Sequence, residues 1–469
     1  MRTGLVFVLL LATALPSVAE LPVAETTLAD QTDVAVTAYN NGLALVRDSR
    51  QMSLPSGEVH LKFMDVAEQI RPETVSLRSL AAPGSVTIFE QNYEYDLISP
   101  SKLMEKYVGR QVRLVNFSKE IGFEEVSAEL MSVNEGSVFK VGEEIFLGHP
   151  GTVVLPEIPE NLIAKPSLIW LIGNDKREQK LEATYLTNGV TWRADYVVTL
   201  ARSDTVLDLA GWVTMDNQSG ATYTNAKLKL VAGEVHVAPP PQVSRGRMKA
   251  LGMMAEAAAP MPREEAFAEY HLYTMPRRTT IKQNQSKQLA LLNATQVACR
   301  KIYEYRGQEH FYSQPMPPML KERVAVFLEF QNEKKNQLGI PLPGGVMRIY
   351  QEDSEGMLQF AGEDRVQHTP KDEKVKLRMG NAFDVVAERV QKNYERISNR
   401  VHECEYAITL RNHKEDAIVV DVVEPMPGDW RILDKSQDFE KKDAHTAVFT
   451  VPVAKDGEAK VTYTVRVTH

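Results

Sequence analysis

The sequence predicts an all-β protein. Apolar and polar residues alternate with a period of two in many short stretches, which is typical of strands with one buried and one solvated face. Turn-forming pairs separate these stretches, and Asn188-Gly189 is an example of the pair that favours a tight hairpin. Few stretches keep the period of a helix. We therefore expect several antiparallel β-sandwich domains with very little helix.

The alternation is clearest between residues 181 and 235. Trp192, Ala194 and Tyr196 alternate with Arg193 and Asp195, and the same pattern recurs through the following strands. We assign residues 167–400 to a central antiparallel β core. Inside it, residues 238–262 contain three consecutive prolines and no apolar period, which predicts a disordered loop.

One stretch of the central region is ambiguous between strand and helix. The charges of residues 381–397 suit a helix, but Val385 and Val386 are β-branched. We predict a strand there.

Three further regions flank this core. Residues 33–98 read as the N-terminal β-sandwich part. Ser99 is a helix N-cap candidate, and five short strands follow it, so residues 99–156 are predicted to form a short helix and a small Sm-like barrel. Evenly spaced alternating strands predict an immunoglobulin-like sandwich over residues 403–469.

The first 19 residues have the pattern of an export signal. Arg2 precedes an apolar stretch, Leu5–Leu15, that is too short to span a bilayer, and Ser17-Val18-Ala19 is a small-residue cleavage site. We expect cleavage after Ala19 and a periplasmic or secreted protein. No later stretch has the roughly 20 apolar residues of a spanning helix, so no transmembrane segment is predicted.

Composition and motifs exclude several classes of function. The net charge of -8 argues against a nucleic-acid partner, because phosphate contacts need clustered Lys and Arg. The sequence has no phosphate-binding glycine loop and no serine-hydrolase elbow. No two of the ten histidines lie within four residues of each other. We therefore predict no cofactor and no local metal site.

The densest polar group in the sequence lies between residues 353 and 389. Carboxylates beside a histidine can ligate a cation or act as an acid/base pair. The alternative, which we favour, is that these are solvated turn residues, with Arg389 in surface ion pairs. The candidate residues are Asp353, Glu355, Glu363, Asp364, His368 and Asp384.

The two cysteines, Cys299 and Cys404, leave a second question open. An oxidising compartment permits a disulfide between them. Two separately buried thiols would instead behave as small apolar residues.

Several motifs resemble a known family. The motifs are residues 185–196 (YLTNGVTWRADY), 211–235, 339–350 (GIPLPGGVMRIY), 362–373 and 380–389. They are similar to a bacterial domain of unknown function that forms the C-terminal part of mucoidy inhibitor A proteins. The resemblance implies a β-rich domain and assigns no catalytic residue.

Two functions follow from these observations. The first is a non-enzymatic cell-envelope protein that binds an envelope protein or polysaccharide. The second is a metal-dependent or acid/base hydrolase of envelope glycans that uses the acidic group around His368. Convergence of Glu363, Asp364 and His368 in one pocket would favour the hydrolase.

Overall fold

The computed structural model describes residues 21–118, 122–148, 151–159, 162–233, 235, 263–267, 270–317 and 319–469. Over these ranges the chain forms thirty strands and one α-helix, which confirms the all-β class. None of the helices described is long and apolar enough to cross a membrane. The predicted signal peptide and the predicted loop at 238–262 lie outside the described residues.

The first fourteen elements occupy the N-terminal third of the chain. The α-helix α1 is Pro100–Lys106, and short 3-10 turns lie at Leu28–Asp30 and Pro72–Thr74. The strands are Val23–Thr26 (β1), Gln31–Tyr39 (β2), Leu43–Ser53 (β3), Gly57–Met64 (β4), Ser76–Ser79 (β5), Val86–Glu94 (β6), Gln111–Ser118 (β7), Gly122–Ser132 (β8), Val138–Val141 (β9), Glu144–Leu147 (β10) and Thr152–Val154 (β11).

The remaining strands follow residue 166, with 3-10 turns at Glu309–Tyr312 and Lys334–Asn336. They are Ser167–Asn174 (β12), Glu178–Asn188 (β13), Val190–Leu200 (β14), Val206–Asn217 (β15), Tyr223–Ala232 (β16), Arg263–Phe267 (β17), Tyr270–Thr274 (β18), Thr279–Ile281 (β19), Gln285–Arg306 (β20), Leu320–Gln331 (β21), Gly345–Glu352 (β22), Leu358–Val366 (β23), Lys374–Arg396 (β24), Val401–Asn412 (β25), Ile418–Pro425 (β26), Asp429–Lys435 (β27), Glu440–Asp443 (β28), Thr446–Val453 (β29) and Gly457–Thr468 (β30).

These strands form four sheets. One has the order β1-β4-β12-β6, and a second has the order β10-β9-β8-β7-β11. The third runs β17-β18-β16-β2-β3-β13-β5, with β19 beside β16. The largest runs β23-β22-β14-β15-β20-β21-β24-β25-β30-β27, and β26, β28 and β29 branch from it through β20. Most neighbours are antiparallel, but β1–β4, β2–β16, β14–β22 and β20–β26 are parallel.

The largest hydrophobic core joins N-terminal and central strands. Trp170 and Phe63 meet edge to face in it, with ring centroids 6.0 Å apart, and neither has exposed surface. Tyr196 and Leu209 of the largest sheet belong to the same core. The N-terminal strands therefore share a continuous core with the strands that follow residue 180.

A second core lies between the C-terminal strands and the far ends of β20, β21 and β24. It contains Phe449 and Val465, but also Tyr305 and Val385, so it extends beyond residues 403–469. The 23-residue β24 reaches both cores, because Val375 packs in the first and Val385 in the second. This strand confirms the prediction for residues 381–397 as far as Arg396.

The second core contains a buried ion pair. Arg389 pairs with Glu424, and neither side chain has exposed surface. The guanidinium also lies within 5.3 Å of the Tyr305 ring centroid and donates to its hydroxyl oxygen at 3.0 Å. The expectation that Arg389 takes part in a surface ion pair is therefore wrong, because its guanidinium lies against aromatic rings of the second core.

The small N-terminal insert differs from the predicted barrel in closure. The Ser99 hydroxyl caps α1 by accepting from the Lys102 N–H at 3.2 Å, as predicted. The five following strands form an antiparallel sheet with β10 and β11 at its two ends. Over the described residues these two end strands pair with β9 and β7 and not with each other. The hydrogen bonds that would join β10 to β11 are therefore not formed, and the sheet keeps two open edges.

Candidate functional site

A cleft opens where the β2–β3 hairpin meets the first residues of β14. Its volume is about 620 Å³, within the usual range for ligand pockets. It is lined by residues 40–42, 191–194 and 343–344 together with Asp216 and His368. We call this the Arg193 cleft.

Two glycines allow these segments to meet. Gly42 closes the β2–β3 hairpin with φ +86°, a backbone conformation that favours glycine. Gly345 begins β22 opposite Ala194 in the parallel β14–β22 pair. A Cβ at Gly345 would collide with the Ala194 carbonyl oxygen, so the absence of a side chain lets residues 343–344 lie against β14.

Arg193 lies between two carboxylates. Its Nη1 donates to Asp216 Oδ2 at 2.6 Å, and its Nε lies 3.8 Å from Asp195 Oδ2. The register of the β14–β15 hairpin places Arg193 opposite Thr214 and Asp195 opposite Trp212, so all of them share one face of the sheet. Arg193 and Asp216 are each about one-third exposed, at 32%. The cation that faces the cleft is therefore neutralised by the protein itself.

Asp195 lies beneath this pair with no exposed surface. Burial raises the pKa of its carboxyl to about 6, and the hydrogen bond from Thr214 and the charges of Arg193 and Arg348 only partly oppose the shift. The Thr214 hydroxyl donates to Asp195 Oδ2 at 2.8 Å and accepts from Gln288 Nε2 at 3.3 Å. Asp195 therefore changes charge near pH 6.

Unpartnered polar atoms are concentrated on β14 and β15. In the part of the chain that the structure describes, the buried side-chain atoms without a hydrogen bond belong to Asp33, Trp192, Arg193, Asp195 and Trp212. Asp33 Oδ1 is compensated, because it lies 2.7 Å from the Arg278 guanidinium. Arg193 Nε likewise lies 3.8 Å from a carboxylate oxygen, Asp195 Oδ2. The other three atoms, on Trp192, Asp195 and Trp212, lie on the two strands that carry the cleft. Each such atom costs about 1–3 kcal/mol, and such atoms in a native structure often mark a functional site.

His368 is the one residue of the predicted polar group that lines the Arg193 cleft. It follows β23, and its Nδ1 accepts from the Gly344 N–H at 3.1 Å. The proton of the neutral ring is therefore on Nε2.

The structure separates the other five residues of that group from His368. Asp353 and Glu355 lie in the β22–β23 turn, where Asp353 Oδ1 accepts from the Glu355 N–H at 2.9 Å. His368 is beyond the opposite end of the hairpin, since Gly345 pairs with Val366 and Glu352 with Leu358. Eight residues at about 3.3 Å each place the two ends roughly 25 Å apart.

The carboxylates closer to His368 have other partners. Glu363 is half exposed and lies 3.1 Å from Arg348 Nε. Asp364, on the opposite face of β23, accepts from the Arg378 N–H at 2.7 Å. Asp384 lines a different pocket, of about 220 Å³. Glu363 and Asp364 therefore do not converge with His368.

The cysteines lie in different cores. Cys299 packs at the edge of the first core and Cys404 is fully buried in the second, and both are free thiols. Burial raises the pKa of each thiol to about 11.

Over the described ranges, no group of three or more His, Cys, Asp and Glu side chains is placed to hold a metal ion. Arg193, Asp195 and Asp216 are not among the predicted site residues, because in the sequence they alternate with apolar residues as the solvated face of two strands does. The signal that could have found them is opposite charge at diagonal positions of β14 and β15, since Arg193 is opposite Thr214 and Asp216 is opposite Thr191.

The fold and the cleft define the class of protein: a β-sheet protein with a cleft at the start of β14 in which Arg193 meets Asp216. The family described as a domain of unknown function (DUF4139) matches residues 181–469, which is more than half of the chain, and the protein belongs to that family. The match includes every cleft residue except those at positions 40–42. No curated protein sequence matches the chain.

Proposed function

We propose that this protein is an exported cell-envelope protein that binds an envelope component in the Arg193 cleft without transforming it. The observation that carries the proposal is the cleft of about 620 Å³, whose exposed Asn40, Asn41 and Thr191 side chains form no hydrogen bond among the described residues. Polar side chains at the surface of a concave pocket are the groups that orient a bound ligand.

The chemistry of the cleft supports binding rather than hydrolysis. Asp216 is the one carboxylate among the described lining residues, and it is engaged by Arg193 at 2.6 Å. The second carboxylate, Asp195, is shielded from the cleft, since it has no exposed surface. Two-carboxylate hydrolysis needs both groups to face the substrate.

The proposal has two further parts: the protein is exported, and it is related to the mucoidy inhibitor A proteins. The charged, apolar and small-residue segments of residues 1–19 support export. The motifs at 185–196 and 339–350 support the relationship, and they contain the first residues of both strands of the parallel β14–β22 pair. A solved mucoidy inhibitor A structure without this parallel pair in its C-terminal part would contradict it.

The export experiment uses the full chain, expressed in a bacterial host with its own N-terminus. We expect the protein in the osmotic-shock fraction with a mature N-terminus at Glu20, measured by intact mass. A cytoplasmic protein that retains residues 1–19 would overturn the export proposal.

The binding experiment uses the purified mature protein on a biosensor surface, against a panel of envelope polysaccharides and solubilised envelope proteins. Thr191 is exposed in the cleft wall, so Thr191→Trp should block binding to the component that the wild type retains. Thr468→Trp is the matched control, at an exposed strand position that is not part of the cleft lining. His368→Ala and His413→Ala form a second pair, because both histidines are exposed and His413 does not line the cleft.

Binding that is lost in Thr191→Trp and His368→Ala and kept in both controls supports the proposal. Equal binding by all four variants would place the ligand elsewhere and overturn it. Turnover of a retained glycan that is lost in His368→Ala would establish the hydrolase instead.

A further inference from the structure

We propose that the ligand of the Arg193 cleft is a neutral, hydroxyl-rich saccharide chain; this inference rests on the proposed function and names its ligand class. The exposed side chains of the cleft, their charges and their unused hydrogen-bonding groups determine this ligand class.

The accessible side chains of the cleft are polar. Four exposed side chains line the cleft, and they come from three different segments of the chain: Asn40, Asn41, Thr191 and His368. The apolar lining side chains are at its buried base, where Trp192 and Ala194 have 3% and 2% exposed surface. Trp192 and Ala194 therefore offer little surface against which an apolar side chain of a peptide could be buried.

The charged side chains that line the cleft, Arg193 and Asp216, carry opposite charges. Arg193 meets Asp216 at 2.6 Å, and Asp195 lies 3.8 Å from it on the other side. An anionic ligand would compete with a carboxylate already in place. A cationic ligand would compete with the guanidinium for Asp216. In both cases desolvation of the ligand charge is not repaid by an unpaired partner.

The other exposed groups of the cleft can both donate and accept hydrogen bonds. The side-chain amides of Asn40 and Asn41 carry two donors and an acceptor each, and among the described residues none of these groups is used in a hydrogen bond. The Thr191 hydroxyl adds a further donor and acceptor. Sugar hydroxyls also donate and accept, so they match these groups without a net charge on either side. The volume of about 620 Å³ is within the range of pockets that enclose one ligand of drug size, which is also the size of a short saccharide.

The test uses isothermal titration of the full mature protein with tetrasaccharides of defined charge. The neutral probes are tetramers of glucose, galactose, mannose and N-acetylglucosamine. The charged probes are tetramers of galacturonate and glucosamine, and a tetrapeptide of Ser and Asn serves as the peptide probe. We expect at least one neutral tetramer to bind at least tenfold more tightly than every charged probe and the peptide. Tighter binding of a charged probe or of the peptide would overturn the saccharide assignment.

One substitution tests the charge argument directly. Asp216→Asn leaves Arg193 without its close carboxylate, so affinity for the galacturonate tetramer should rise at least tenfold. Asp438→Asn is the control, since Asp438 is an exposed carboxylate paired with Lys435 and does not line the cleft. No gain in Asp216→Asn, or an equal gain in both variants, would contradict a site in which Asp216 sets the preference for neutral ligands.

Two sources could present the same sugar: a free polysaccharide chain or a glycolipid headgroup. The best neutral tetramer is therefore compared with phosphatidylcholine vesicles that carry the same sugar on a lipid. Vesicle binding that the free tetramer competes away assigns the shared chemistry to the headgroup. Binding of the tetramer alone assigns it to the polysaccharide.

The two proposals fail separately. If no tetramer binds but an envelope component is retained in a Thr191-dependent manner, the saccharide inference is wrong and the proposed function stands. If nothing is retained in a Thr191-dependent manner, both are wrong.

Discussion

Arg389 and Glu424 form an ion pair in the C-terminal core in which neither side chain has exposed surface. Tyr312 donates to the other carboxylate oxygen of Glu424 at 2.5 Å, and Tyr305 accepts from Arg389 Nε at 3.0 Å. The tyrosine hydroxyls therefore satisfy groups that the ion pair alone leaves open, which makes burial of the two charges tolerable.

Glu424→Gln should strongly destabilise the protein, because it leaves Arg389 charged and buried without its partner. The expected loss is about 3–5 kcal/mol, measured by urea unfolding. The matched control is Glu403→Gln, which breaks the surface pair with Arg466 and should cost no more than about 1 kcal/mol. The double variant Arg389→Met with Glu424→Leu should be more stable than Glu424→Gln. Equal losses in all three variants would contradict this account.

Asp195→Asn should stabilise the protein at neutral pH. The pKa of Asp195 is raised from 3.8 to about 6, so the folded state holds its proton more tightly than the unfolded state. The contribution of this group to the unfolding free energy therefore falls as pH rises from about 4 to about 6, by at most about 3 kcal/mol. The advantage of the variant should be absent near pH 4, grow through this window and stay constant above it.

Melting temperatures across this pH range measure that difference. Asp438→Asn is the control, because Lys435 lowers the pKa of Asp438 and the substitution removes a favourable charge. A variant at Asp195 that is less stable than the wild type at pH 7.5 would show that attraction to Arg193 and Arg348 outweighs desolvation.

Gly345→Ala should destabilise the fold and disturb the cleft. A Cβ at position 345 would overlap the Ala194 carbonyl oxygen, so β14 and β22 would have to separate. Forced packing of this kind costs typically 1–3 kcal/mol, measured by urea unfolding. Gly344→Ala is the neighbouring control. The new Cβ there would lie 3.3 Å from the backbone nitrogen of His368, so a small shift of the backbone suffices. A larger loss for Gly344→Ala would contradict the close approach at Gly345.

Both cysteines should titrate as thiols without reduction. A thiol reagent added to protein unfolded in guanidinium chloride should report two thiols per chain, since Cys299 and Cys404 lie in different cores. In the folded protein the reaction should be slow, because burial raises the pKa of each thiol to about 11. Two thiols that appear only after reductant is added would instead support the disulfide considered from the sequence.

The elements were predictable where the local pattern was strong. The Asn188-Gly189 turn connects β13 and β14 as expected, and Gly189 has φ +81°. The Ser99 cap and the strand at residues 381–396 were also predicted correctly. The open edge of the sheet at residues 111–154 was not, because barrel closure depends on whether two distant end strands pair.

The candidate site was predictable only at His368. Arg193, Asp195 and Asp216 have the alternation of an ordinary solvated face, and Arg389 has that of a surface residue. Their burial depends on what covers each face. The parallel β14–β22 pair brings residues 343–344 and His368 to Arg193 across about 150 residues of chain. The sequence of a single strand does not show which distant strand it pairs with or whether that pair is parallel.

The sequence by itself determined that this chain is built of strands, where most of them turn, and which family motifs it carries, because these depend on contacts between near neighbours. The tertiary structure alone decided which charged residues are buried, which carboxylates meet an arginine and which polar segments enclose a cleft. Those properties arise from long-range pairing of strands, and the free energy of each charged group depends on how much water that pairing excludes.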